Sequence, residues 1–232
     1  MEKCKKTKKN IYFTPMELAI CITSVVLIVG AFLIFDRTNY LSLIASVVGV
    51  FSLILCARGN PIGQGIMLLF CLLYALISYK MSYFGEMITY LGMSAPMAIL
   101  SLVSWIKNPY KKKEVRVNRV GRREILIALA LSFLVTVLFY FILRALGTAS
   151  LITSTFSVTT SFLAAYFTFR RSKLYALFYV ANDVVLIILW CIATYRDTSY
   201  ICVVVCFLAF LLLDLYSYIC WRKMEIRQSE GK

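Results

Sequence analysis

Apolar residues run in long unbroken blocks along this 232-residue chain, and polar residues gather in the short gaps between them. The block at 125–141 holds no charged residue. A membrane-spanning helix needs about 20 mostly apolar residues, with roughly 17–25 tolerated. Eight blocks meet that requirement: 16–35, 41–57, 62–79, 84–106, 124–145, 149–169, 174–195 and 201–221. Most gaps carry turn chemistry, as in Asp36-Arg37-Thr38-Asn39, Arg58-Gly59-Asn60-Pro61, Asn108-Pro109, Gly147-Thr148 and Arg196-Asp197-Thr198. Only helices and closed barrels satisfy their backbone in lipid. A barrel needs short alternating segments, and these blocks do not alternate. The pattern predicts an all-α integral membrane protein of about eight transmembrane helices. The first block is too long for a signal-peptide core and no A-x-A site follows it, so it is expected to be a retained span.

Composition agrees. The chain is 61% hydrophobic and 16% charged, with mean hydropathy +0.82. A soluble domain would be about 45–50% apolar and about a quarter charged. The net charge of +14 could suggest nucleic acid, but its distribution points elsewhere. With the N-terminus inside and the spans alternating, 21 of the 25 Lys and Arg residues fall in cytoplasmic segments. Only Arg37, Lys80, Arg144 and Arg196 fall outside. This is the positive-inside pattern. It supports an even span number, a plasma-membrane protein with both termini cytoplasmic, and no nucleic-acid partner.

Seven of the eight cysteines (Cys21, Cys56, Cys71, Cys191, Cys202, Cys206 and Cys220) lie in apolar blocks, where Cys behaves as a small hydrophobe. No CxxC pair and no histidine occur. HExxH zinc sites and Ser–His or Cys–His nucleophile pairs are therefore excluded. Neither a metal nor a cofactor is expected.

The basic loop at 107–123 divides the chain. Trp105-Ile106-Lys107 closes a span before it and Trp221-Arg222-Lys223 closes one near the end. Arg58 and Arg170-Arg171 each precede the second span of a possible triplet. These matches predict two parallel three-helix repeats, 41–106 and 149–221. A linking span at 124–145 joins them. A basic N-terminus (1–15) and an extra span (16–35) lead in, and a cytoplasmic tail (222–232) follows. Parallel repeats of this kind are a transporter architecture, with substrate bound near the midplane between them.

Ionisable residues within spans cost several kcal/mol and are functional candidates by default. Asp183 sits halfway along its span beside Asn182, with Tyr175 and Tyr179 near the same face. A carboxylate, an amide and aromatic rings could stack a flat ring and bind hydroxyls; an interhelical hydrogen bond is the structural alternative. Glu86, with Tyr90 one turn further in, lies near an outer span end. There it could reach interfacial water or meet substrate. Asp214 reads first as a structural partner for a neighbouring span. Trp105 reads as an interface anchor and Pro96 as a kink.

Three stretches carry a resemblance: Tyr83-Phe84-Gly85-Glu86-Met87, Ser104-Trp105-Ile106-Lys107-Asn108-Pro109, and 175–183 ending in Asn182-Asp183. Together with the Arg58-Gly59-Asn60 turn and the eight-span layout, the chain over roughly 40–223 resembles the PnuC family of bacterial vitamin transporters. The resemblance implies a three-plus-one-plus-three arrangement like that of SWEET sugar transporters, and a homotrimer. It implies uptake of nicotinamide riboside by facilitated diffusion, with cytoplasmic phosphorylation trapping the product. It implies substrate contacts from Glu86, Trp105, Asn108, Asn182 and Asp183. Tyr175 and Tyr179 stand where Trp is common in such proteins, and Ala98 where Gln would be plausible. Thiamine or riboflavin is the alternative substrate. The alternatives from other classes are an intramembrane enzyme using Asp183 and Asp214 and a non-transporting scaffold or sensor.

Overall fold

The computed structural model describes residues 13–80, 84–111, 114–148, 150–195 and 197–231. Expectations resting on Lys3, Lys5, Lys6, Lys8, Lys9, Tyr83, Lys112, Lys113, Ala149, Arg196 and Lys232 lie outside these residues. Eight long helices match the eight predicted spans. They are α1 (Pro15–Phe35), α2 (Tyr40–Ala57), α3 (Ile62–Lys80), α4 (Phe84–Lys107), α5 (Arg122–Ala145), α6 (Leu151–Phe169), α7 (Leu174–Thr194) and α8 (Ile201–Glu230). All but α6 contain a stretch long and apolar enough to cross a membrane by composition. α6 has the 19-residue length of α3 but carries eight Ser and Thr residues. Several of these hydroxyls donate back to their own helix, Thr155 to Leu151 O, Thr159 to Thr155 O and Thr168 to Ala164 O. That keeps a polar helix compatible with a bundle interior.

Six helices close a ring in the order α2, α3, α4, α6, α7, α8, with α8 returning to α2. α1 packs outside on α2 and α8, and α5 packs outside on α6. Exchanging α2, α3 and α4 with α6, α7 and α8 maps the ring onto itself.

The ends of α2 and α6 are built alike. After α2, Gly59 adopts φ +67° and Asn60 N donates to Leu55 O at 3.1 Å. After α6, Arg171 adopts φ +55° and Ser172 N donates to Phe167 O at 3.0 Å. Both are Schellman-type stops. Gly59 takes the left-handed conformation freely. Arg171 is held in it by Nη1 donating to Ser104 Oγ at 2.6 Å and Nε to Arg116 O at 3.2 Å.

The basic end is tied together by a network of bonds. Thr14 and Glu17 form a capping box that starts α1, and the same Glu17 carboxylate pairs with Arg58 at 3.1 Å. Glu124 pairs with Arg170. The loop at 107–123 contains a short antiparallel ladder, Pro109–Tyr110 against Glu114–Val115. Fully buried Val115 donates its N–H to Gly59 O at 2.9 Å.

Two features add to the expected layout. The tail beyond 221 is helical to Glu230, because it is bonded to the loop. Gln228 accepts from Val117 N at 2.8 Å and donates to Val115 O at 3.1 Å, while Arg227 pairs with Glu114. Pro96 follows a widened segment of α4. A π turn at Tyr90–Ser94 precedes it, in which Ala95 N–H reaches back to Tyr90 O. The wider turn absorbs the missing proline donor.

Candidate functional site

The ring encloses a cavity to which all six of its helices contribute. The space open to the centres of water molecules is about 60 Å³, so a few waters fit and anything larger needs side chains to move.

Asn182 is positioned by α6. Its Oδ1 accepts from Ser157 Oγ at 3.3 Å, Thr160 Oγ1 at 2.9 Å and Ser161 Oγ at 2.9 Å. Three donors on one carbonyl oxygen orient the amide and leave its NH₂ for the cavity. The amide carbonyl thus makes the interhelical bonds.

Next to it, Asp183 on α7 and Asp214 on α8 both line the cavity. Both residues are at most 3% exposed. Among the described residues no protein group donates to Asp183 Oδ2 or Asp214 Oδ1, and neither residue forms an ion pair. Asp214 was expected to be structural; it lines the cavity.

Glu86 is 7% exposed and also lines the cavity rather than reaching interfacial water. The π turn swings Tyr90 inward, where its ring lies 4.5 Å from Tyr74 and 6.0 Å from Phe70. Phe70 in turn meets Phe210 at 5.7 Å. This aromatic cluster closes the cavity toward the end opposite the basic loop. Tyr179 faces the cavity from α7.

Three expected contacts lie elsewhere. Tyr175 is buried against Trp221, ring centroids 4.9 Å apart. Trp105 donates its indole N–H to Thr168 O at 2.9 Å. Asn108 caps α4, its Nδ2 donating to Ser104 O at 2.8 Å. Trp105 and Tyr175 belong to the aromatic layer that closes the basic end. Asn108 sits beyond that layer.

Reading of the sequence missed Gln64, Thr89, Phe70, Phe207, Phe210 and the α6 hydroxyls, all close to the site. The α6 signal was present. Ser154, Ser157, Ser161 and Thr168 recur at helical spacing in the least apolar block.

The lining includes Glu86, Asp183 and Asp214 but no Lys or Arg among the described residues. Asp183 and Asp214 share one cavity, yet the chain's relatives are carriers. It is 24% identical over 203 residues to the nicotinamide riboside transporter PnuC of Neisseria mucosa, spanning 84% of this chain and 77% of that one. Its fold matches the crystal structure of the vitamin B3 transporter PnuC with a TM-score of 0.81 and 21% identity, over 93% of this chain and 94% of the other. The sequence model of the nicotinamide mononucleotide transporter family matches residues 39–223. The chain therefore belongs to this family of multi-pass membrane transporters, the PnuC family, and is not an enzyme.

Proposed function

We propose that the chain takes up nicotinamide riboside by facilitated diffusion, binding it in the cavity between two parallel three-helix repeats. The observation that carries this reading is the charge of the cavity: three carboxyls and no basic residue among the described lining. Nicotinamide riboside is a permanent cation with no phosphate. Its mononucleotide adds a phosphate of roughly −1.5 to −2 charge at pH 7, which would be buried among carboxyls without a partner. The cavity thus favours the nucleoside over the nucleotide. Neutral riboflavin gains nothing from the carboxyls; cationic thiamine would.

In this reading the pyridinium stacks on Tyr90 or Tyr179, at about 0.5–2 kcal/mol per ring. Asn182 Nδ2 and the Asp183–Asp214 pair take the ribose hydroxyls. Glu86 faces the ring's charge. Trp105, Tyr175 and Asn108 act from the basic end by closing the site rather than by touching substrate. The charge bias supports placing that end and both termini in the cytoplasm of the plasma membrane. A cytoplasmic kinase that phosphorylates the product would trap it, since the cavity disfavours phosphate. The apolar outer face of α5, with Leu134 and Phe141 exposed, is available to lipid and to the contacts of a homotrimer.

Thermal shift of the purified carrier with nicotinamide riboside, its mononucleotide, thiamine and riboflavin tests the substrate. A ligand that binds the folded state raises Tm by mass action. The riboside is expected to give the largest rise and the mononucleotide none. A larger rise with thiamine would reassign the vitamin.

A further inference from the structure

The segment 114–119 of the basic loop bridges the two halves of the ring. Val115 N donates to Gly59 O and Asn118 N to Arg171 O, both at 2.9 Å. Gly59 and Arg171 are the matched left-handed residues that end α2 and α6. One short segment thus joins equivalent carbonyls, one in each half, and sets their separation.

The two attachments differ in kind. On the second half the hold is polar. Arg171 Nε donates to Arg116 O at 3.2 Å, Gln228 bonds Val115 and Val117, Arg227 pairs with Glu114, and Arg119 stands 3.8 Å from Glu225. Toward the first half the segment presents Val115, whose side chain sits on Gly59. A Cβ on Gly59 would lie 3.2 Å from Val115 Cγ1, so the close seat suits glycine. Val115 is fully buried and belongs to the same apolar layer as Cys56, Trp105 and Trp221.

An open cleft of about 1210 Å³ lies over this layer. Its walls include Ala57 and Arg58 at the end of α2, Tyr216, Cys220 and Lys223 on α8, and Glu114 of the loop. On α2, Leu53 lines the cavity and Ala57 the cleft; on α4, Ser101 lines the cavity and Trp105 the cleft. About one helical turn therefore separates the two spaces, and the layer holding Trp105, Trp221 and Val115 fills it.

We propose that residues 114–119 latch the carrier shut at its basic end. Val115 leaves its seat on Gly59, the segment moves with the second half, and the cavity opens into the cleft, which becomes the mouth for the ligand. The step breaks an apolar seat and a few hydrogen bonds and moves no other ion, as facilitated diffusion requires. The cleft carries Arg58, Lys223 and Arg227 against Glu17 and Glu114, whereas the described cavity lining carries carboxyls and no Lys or Arg. A cation is thus held in the cavity and let go in the mouth. The inference rests on the proposed transport through the ring, and it holds for any vitamin carried.

Site-resolved thiol labelling in sealed vesicles tests the latch, read by peptide mass spectrometry so that the native cysteines can stay. Lys223→Cys, exposed in the cleft, reports whether inverted vesicles or spheroplasts turn the basic end to a membrane-impermeant maleimide. Ser101→Cys, in the cavity, is expected to react slowly from that side. Adding Val115→Ala should speed its reaction by about tenfold, the equivalent of two buried methyl groups. Adding Gln228→Ala should speed it too, because cutting either attachment undoes the bridge. If one of these variants does not fold, the other decides. Riboside transport should fall severalfold after labelling of Lys223→Cys. It should persist after labelling of Arg222→Cys, which is exposed outside the cleft. An unchanged Ser101→Cys rate in the loosened variants would overturn the latch. Equal transport after labelling at 222 and 223 would overturn the mouth. If the unlabelled carrier moves neither riboside nor thiamine, the transport reading fails by itself, and the Ser101→Cys rates still judge the latch.

Discussion

Trp105 and Trp221 meet at the basic end of the bundle, ring centroids 5.3 Å apart, and each indole N–H is bonded at 2.9 Å to a carbonyl in the opposite half. Trp105 donates to Thr168, near the end of α6, and Trp221 to Cys56, near the end of α2. Cys56 and Thr168 each stand two residues before the helix cap, Arg58 and Arg170 respectively. One bond becomes the other when the halves are exchanged. Both indoles are fully buried, so neither is an interface anchor. They fasten each half to the other beneath the cavity.

The symmetry predicts matched losses. Trp105→Phe and Trp221→Phe each keep a ring and delete one hydrogen bond, worth about 0.5–1.5 kcal/mol net. Each should lower Tm by about 2–4 °C per kcal/mol, and by similar amounts. Differential scanning fluorimetry reads this. A large drop for one and none for the other would argue against equivalent roles.

Asn182 should matter twice. Asn182→Ala removes the acceptor of three hydroxyls and the donor aimed into the cavity. Ser157 is the buried one of the three, and leaving its hydroxyl without this acceptor costs about 1–3 kcal/mol, so a lower Tm and weaker riboside binding are both expected. Ser161→Ala leaves two donors on Asn182 and should change either quantity far less. Equal damage from the two variants would contradict this division of labour.

Gln228 is expected to govern order in the basic loop. Its side chain holds Val115 and Val117, far from it in sequence. In Gln228→Ala, hydrogen exchange at the Val117 amide should speed up markedly, while protection inside α7 stays unchanged. Unaltered exchange at Val117 would show that the ion pairs alone hold the loop.

Much of the fold was legible because lipid imposes it. Eight apolar blocks and a one-sided charge pattern are direct consequences of the solvent. The repeat signal at Trp105 and Trp221 was visible as a pair of words, but not its meaning. Only packing turns the indoles inward and gives each a carbonyl. Asp183 and Asn182 stood out since polar groups are rare in spans. Asp214 seemed structural because its neighbours Leu213 and Leu215 gave no hint of a cavity at that position. Helical spacing put Tyr175 with Tyr179 on one face, yet one turn separates a residue buried under Trp221 from one facing the cavity. Periodicity identifies a face but does not say how far along it the cavity reaches. The helical tail to Glu230 escaped notice because its cause, Gln228 on the loop, joins residues more than a hundred positions apart.

The acidic pair should set affinity. Asp183→Asn or Asp214→Asn removes a charge-assisted contact to the ligand, worth about 1.5–3 kcal/mol. Riboside Kd should rise roughly 10–100-fold. Glu86→Gln should weaken the cation as well, with little effect on the uncharged dihydropyridine riboside. Undiminished affinity in all three variants, measured by titration calorimetry, would place the substrate elsewhere.

The most direct measurement of the central claim is uptake into liposomes containing the purified carrier, with no ATP and no imposed ion gradient. Labelled nicotinamide riboside should equilibrate across the membrane, while labelled nicotinamide mononucleotide should stay at the level of protein-free vesicles. Transport of the mononucleotide as fast as the riboside would contradict a site built from Glu86, Asp183 and Asp214 without a basic partner.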